Sequence, residues 1–243
     1  GAFLLSKSER LAVASGIANI YARDAYTAVA GHNSLNMLYG DRFVLGLGVS
    51  HVPLVTGRRG HKYGKPVATM RDYLEQMDAA DLDLGAPTRN LVLAALGPKM
   101  LQLARDMTCG ALPYCGTPKH TSMAREVLGP KKWLCVEQKI CFTQDERIAR
   151  DVASSGMARY LALENYRNHW FRIGFSKNEL VTGGNERFLD SMVLWGSEHT
   201  IREGLQAHFD AGATHVAIQA LDPAGKATPD WNALETFAPE SWV

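Results

Sequence analysis

The chain is sparing with the features that would settle its class at a glance. Of its 243 residues only four are cysteines, Cys109, Cys115, Cys135 and Cys141, and none forms a C-x-x-C pair. Cys135 and Cys141 fall within one predicted strand, roughly 20 Å apart if extended, too far to bridge each other. The four read as reduced, buried thiols, and the expected compartment is the cytoplasm. No apolar run approaches the roughly 18 residues that cross a bilayer, and no signal peptide is visible, so no membrane partner is expected. Excess charge is also missing: 26 basic side chains face 25 acidic ones, and without a basic stripe nucleic acid is not expected as a partner. The sequence contains no H-E-x-x-H, no cysteine/histidine cluster of metal spacing and no G-x-S-x-G elbow. No metal is therefore expected, and metalloprotease and serine-hydrolase readings lose their support.

What is present is an alternation of strand and helix patterns. Leu11–Ile20 reads as a strand, and Asp24 as the N-cap of a helix to about Leu38. The strand Phe43–Val49 follows, then a polar loop from His51 to Gly64. An amphipathic helix from Pro66 to Ala79 carries Val67, Met70, Leu74 and Met77 at helical spacing. Asn90–Leu96 reads as a strand, with Pro98 opening the helix to Met107. Cys109–Tyr114 is a short strand, and Thr117-Pro118 caps a helix to Leu128. Trp133–Phe142 is a further strand, and Thr143 with Glu146 suggests a capping box. From Ser154 to Trp195 the pattern is helical without strands, with Ser176 and Glu179 as another capping box. The helix Glu198–Asp210 and the strand His215–Leu221 close the series. Strands separated by helices imply βα units and a parallel sheet, as a (β/α)8 barrel or an open doubly wound sheet. The dinucleotide fingerprint fails, because Gly46-x-Gly48 runs into Val49, Ser50 and His51 without a third glycine.

Strand ends are where parallel α/β proteins gather their chemistry. Three stand out. Ser15-Gly16-Ile17 interrupts an apolar strand with a glycine, the mark of a bulge or a close backbone approach. Gly48-Val49-Ser50-His51 ends a buried strand on a polar pair. Leu96-Gly97-Pro98 is a one-glycine turn into a helix whose amino end suits a phosphate. Arg58, Arg59, His61 and Lys62 form a basic patch in the long loop, either solvated or able to attract an anionic tail. Tyr21 follows the first strand and could reach the same cleft. Glu137 and Lys139 alternate with apolar residues and suggest a buried ion pair. His120, His169, His199 and His208 lie on helical segments and look incidental.

Taken together, Arg10-Leu-Ala-Val-Ala-Ser-Gly-Ile-Ala-Asn-Ile-Tyr-Ala-Arg-Asp24, Arg42–Pro53, Arg59-Gly-His-Lys-Tyr-Gly-Lys-Pro66, Leu93–Lys99 and Ala211–Val216 resemble the luciferase-like monooxygenase superfamily. The likeness is greatest to its actinobacterial F420-dependent (deazaflavin) oxidoreductases. It covers essentially the whole chain and implies an α/β (β/α)8 TIM-type barrel of the bacterial-luciferase kind, one domain over residues 1–243 with a helical excursion at about 154–195. It also implies that two strands and a helix precede the position of Gly1 in relatives. The first two barrel strands are thus expected to be absent here, with whatever catalytic group they carry. By the same resemblance Ser15, Gly16 and Ile17 support a flavin-type ring, often through a non-prolyl cis peptide. Gly48, Ser50 and His51 lie beside that ring, with His51 the catalytic candidate, and Leu96, Gly97 and Pro98 hold the cofactor phosphate. The function implied is hydride transfer between coenzyme F420 and a small organic substrate. FMN-dependent monooxygenation and a non-catalytic binding barrel are the alternatives. A homodimer is the expected assembly.

Overall fold

The computed structural model describes residues 1–80, 90–181 and 183–239. Its contacts divide the chain into two units, Gly1–Leu112 with Val127–Trp133, and Pro113–Glu126 with Leu134–Val243.

In the first unit α1 (Ala2–Ser6) precedes β1 (Val13–Ala14) and β2 (Ala18–Asn19), followed by α2 (Ala25–Tyr39) and β3 (Phe43–Gly48). A π-helical turn at Pro53–Arg58 and α3 (Pro66–Asp78) follow, then β4 (Leu91–Leu93), α4 (Pro98–Met107) and β5 (Gly110–Ala111). All strand pairs of this unit are parallel: β1 and β2 both lie along β3, β3 along β4, and β4 along β5. Asp24 caps α2 as expected, its side chain accepting from Thr27 N–H at 2.8 Å. That bond holds the Asp24 carboxyl below its ordinary value. The expected stripe of α3 holds at Met70, Leu74 and Met77, all buried, and Tyr73 joins it while Val67 stays half-buried. The single strand expected over Leu11–Ile20 is instead two short ones. The break at Ser15–Ile17 removes three residues from the ladder, and hydrophobic alternation alone does not register such a break.

The second unit is organised by β6 (Trp133–Cys141), with α5 (Pro118–Leu128) before it. After it come α6 (Glu146–Leu161), α7 (Glu164–Ile173), α8 (Glu186–Met192), β7 (Val193–Trp195), α9 (Glu198–Asp210), β8 (His215–Leu221) and α10 (Trp231–Thr236). β6 pairs in parallel with β7 at Lys139↔Val193 to Cys141↔Trp195, and with β8 along seven positions from Cys135↔His215 to Cys141↔Leu221. On one side Ile140, Ile201, Leu205, Ala220, Ala233 and Phe237 form a buried core. Trp170 is fully buried elsewhere in this unit, its ring edge-on to Phe188 at 4.8 Å. Burying one such aromatic stabilises by roughly 1.5–3 kcal/mol.

Three expectations are corrected here. The excursion expected at about 154–195 before the last strands is not free of strands, since Val193-Leu194-Trp195 pairs with β6; three residues are too few to show alternation. The cap of α6 is Asp145, which accepts from Ile148 N–H at 3.0 Å, while Thr143 Oγ1 accepts from Asp145 N–H. Cys109 and Cys135 are half-buried, and only Cys115 and Cys141 are buried; none of the four is in a disulfide. The capping box of Ser176 and Glu179 is present, on a 3₁₀ turn at Lys177–Leu180. No helix among the described residues is long and apolar enough to cross a membrane.

Candidate cofactor site

The candidate site begins with the way β3 meets its neighbour. Gly46 and Gly48 are buried, and each accommodates a close approach. A Cβ at Gly46 would stand 2.2 Å from the Ser15 carbonyl oxygen, and one at Gly48 2.3 Å from Ile17 Cδ1. Only glycine lets the two strands meet this closely. The Ser15 hydroxyl donates to the Gly46 carbonyl and accepts from the Gly46 N–H, both at 2.9 Å. It thus takes over the ladder where β1 and β2 are interrupted. The Gly16–Ile17 peptide is cis. Gly16 itself is exposed, and a Cβ there would meet no atom within 4 Å.

Register then aligns the strand ends. Asn19 pairs with Gly48, and Leu47 with Leu93, so the carboxyl ends of β2, β3 and β4 come side by side. Gly48–His51 and the turn after β4 thus follow neighbouring strand ends, and Ser15–Ile17 packs on β3 just before its end, against Gly46 and Gly48. Beyond β3 the chain turns at Ser50, whose φ of 58° is in the left-handed region. For a residue with a side chain this conformation costs roughly 1–2 kcal/mol. Its carbonyl accepts from the Tyr63 hydroxyl at 3.2 Å. Half-buried His51 offers its own carbonyl to Leu54 N–H and Val55 N–H, starting the π-helical turn. The loop is tied down at its far end: the Tyr21 and Tyr63 rings stack with centroids 5.7 Å apart, and Gly64 N–H donates to the Tyr21 hydroxyl at 2.9 Å. Burial, with Tyr21 adding to it, raises the Tyr63 phenol and keeps it a donor. Arg58, Arg59, His61 and Lys62 are all exposed.

After β4, Ala94 N–H donates to Leu47 O at 2.8 Å and Ala95 is buried. Gly97 is the N-cap of α4 in extended backbone (φ −99°, ψ 157°), with Pro98 at the first helical position. The first turn of α4 carries no acidic side chain, so nothing there competes with an anion for the positive end of the helix.

One residue escaped the sequence reading. Asn19, at the end of β2, accepts from Tyr21 N–H through Oδ1 at 2.9 Å, while its buried Nδ2 has no hydrogen-bond partner. A buried amide donor without an acceptor costs roughly 1–3 kcal/mol. The signal was a polar residue near the end of an apolar stretch, three positions after the more conspicuous Gly16. An open backbone at Gly16, an unmatched donor at Asn19 and a helix amino end free of acid suit a polar, phosphate-bearing ring cofactor. A deazaflavin or flavin fits that description.

Residues 1–81 match the family model of the luciferase-like monooxygenases. A Mycobacterium tuberculosis protein assigned to the coenzyme F420-dependent oxidoreductases (Rv3520c) is 25% identical, over 88% of this chain and 80% of its own length. The coenzyme F420-dependent tetrahydromethanopterin reductase of Methanopyrus kandleri superposes with a TM-score of 0.65 at 14% identity, covering 91% of this chain and 81% of that one. The oxygenating constituent of the 3,6-diketocamphane monooxygenase of Pseudomonas putida, in complex with FMN, superposes with a TM-score of 0.59 at 13% identity, covering 89% and 76%. The expected α/β fold of the bacterial-luciferase kind is thus met. In the sequence of its first third and in its fold, the chain resembles the luciferase-like monooxygenase superfamily, F420-dependent oxidoreductases among its relatives.

Proposed function

We propose that the protein is an oxidoreductase that uses coenzyme F420 to move a hydride to or from a small organic substrate, acting as a homodimer in the cytoplasm. The observations that carry this reading are the close packing of Ser15–Ile17 against Gly46 and Gly48 and the parallel register that sets the ends of β3 and β4 side by side, ahead of Gly48–His51 and Leu96–Pro98. The cofactor supplies the hydride chemistry; the protein supplies orientation and electrostatics. Gly97, Pro98 and the amino end of α4 would hold the phosphate. The open backbone at Gly16 and Ile17 would carry the ring, and Asn19 Nδ2 would donate to one of its acceptor atoms. Ser15 serves this wall through its clamp on Gly46, and Gly48 by admitting Ile17. The loop set by Ser50 would bring His51 to the substrate side, where its imidazole would give or take a proton.

A second reading, an FMN-dependent monooxygenase, is supported by the likeness in fold to an FMN-bound enzyme. Titration of the purified protein with F420 and with FMN tests both. F420 binding with turnover independent of oxygen supports the first. Tight FMN binding, oxygen-dependent turnover and no F420 binding would overturn it.

A further inference from the structure

The second unit holds a reactive pair that the proposed hydride chemistry leaves unused. Lys139, on β6, is 2% exposed and Cys115 is 3% exposed. Lys139 Nζ donates to Cys115 Sγ at 3.2 Å and to Glu137 Oε1 at 3.0 Å. It also lies over the Tyr114 ring, 3.9 Å from the centroid. The cysteine is held by its backbone on both sides: its N–H donates to Glu137 Oε2 at 3.2 Å, and its carbonyl accepts from Trp170 Nε1 at 3.1 Å. Sulfur and ammonium nitrogen are therefore kept in contact in a dry, crowded place, with a carboxylate against the same nitrogen.

We propose that Cys115 and Lys139 are a modification site, at which dioxygen joins the two side chains through a covalent N–O–S bridge. Dioxygen is small and apolar enough to enter a packed interior. The S–O and N–O bonds form, while the S–H bond, two N–H bonds and the O–O bond break. One oxygen atom stays in the bridge and the other leaves as water. Sulfur and nitrogen each give up two electrons, and the four together reduce dioxygen. Of the two hydrogens that leave nitrogen, one passes as a proton to Glu137, already hydrogen-bonded to that nitrogen, and the other joins the thiol hydrogen in the water; the third stays on the bridging nitrogen. Cysteine thiol, ammonium, carboxylate and dioxygen thus become the bridge, a neutral carboxylic acid and water. This balance explains why the place suits the reaction: losing the lysine charge does not strand a buried carboxylate, which would otherwise be strongly destabilising. The bridge would also close the chain between residues 115 and 139, restricting the unfolded state as a disulfide does.

The test is intact mass and peptide mapping of the protein, purified anaerobically under reductant and then exposed to dioxygen. The expected result is a gain of about 14 Da, one oxygen gained and two hydrogens lost, a different signature from the sulfenic and sulfinic steps of ordinary thiol oxidation. A joined peptide pair should contain Cys115 and Lys139, and dithiothreitol should separate it. Cys115→Ala and Lys139→Met should each abolish the product. The map of the unmutated protein decides the matter if either variant fails to fold. No mass change after prolonged exposure, or oxygen found on Cys115 without a joined peptide, would overturn the proposal.

Discussion

Ser15 and Gly46 exchange two hydrogen bonds through a single hydroxyl, which donates to the Gly46 carbonyl and accepts from its N–H, both at 2.9 Å. A side chain here replaces a stretch of β-ladder, because the backbone of residues 15–17 has turned away from it. Ser15→Ala should leave both Gly46 groups without this partner and lower stability by about 1–3 kcal/mol. Gly46→Ala should cost at least as much, since its methyl group would meet backbone at 2.2 Å. Urea denaturation followed by circular dichroism measures both. A stable Ser15→Ala protein would deny the clamp its role.

The turn after β4 and the end of β3 should separate binding from turnover. Gly97→Val adds a branched side chain at the amino end of α4, where the extended backbone tolerates it. The fold should survive while cofactor affinity drops tenfold or more, about 1.4 kcal/mol. His51→Ala should lower single-turnover rates more than it weakens binding. Unchanged affinity in the first variant would move the phosphate elsewhere. Unchanged rates in the second would leave His51 a loop residue.

Asn19→Asp keeps the acceptor for Tyr21 N–H and removes the unmatched donor. The variant buries a charged oxygen with no donor, so it should be less stable than the parent, and it should bind the anionic cofactor about tenfold less tightly, a change of about 1.4 kcal/mol. Isothermal titration beside thermal melting reads the two effects apart. Equal affinity would return Asn19 to a purely local role.

Acid should loosen the second unit through its buried histidines. Burial, with His120 adding to it, lowers His169 from 6.5 to about 3 and His208 from 6.5 to about 4. His208 is fixed between Thr121 Oγ1 at 2.8 Å and Gln138 Oε1 at 2.9 Å. Both groups are neutral when folded and take up protons more readily when unfolded, so their contribution is complete above pH 6.5 and is lost as pH falls toward the folded values. Between pH 6.5 and 5.5 the loss should be about 1 kcal/mol per histidine. Urea denaturation across this range, still above the carboxylate region, checks it. A flat profile would mean that the imidazoles charge without penalty.

Much of this was legible in the chain itself. The strand read over Phe43–Val49 and found at Phe43–Gly48, the cap at Asp24 and the Gly-Pro helix start were readable because each rests on neighbours within a few residues. Glu137 and Lys139 announced their pairing by alternating with apolar residues on one strand. The Ser15 clamp was hidden because its partner lies 31 positions away. The histidines looked incidental for the same reason: His208 meets Thr121 and Gln138 only after folding. Nor did the local pattern distinguish a glycine that faces a ligand, as Gly16 could, from glycines that admit a neighbouring strand, as Gly46 and Gly48 do.

Where β3 meets Ser15–Ile17, the strand-end surface is built largely from main chain. A surface of that kind has little side-chain identity to lose, and it tolerates no added bulk at Gly46 or Gly48. Divergence in what the protein acts on must then be written elsewhere, most readily in the anchored loop from His51 to Gly64, where exposed positions can change without moving the strands. A lineage built on this fold would keep its wall by rejecting substitutions and acquire new substrates by exchanging loops.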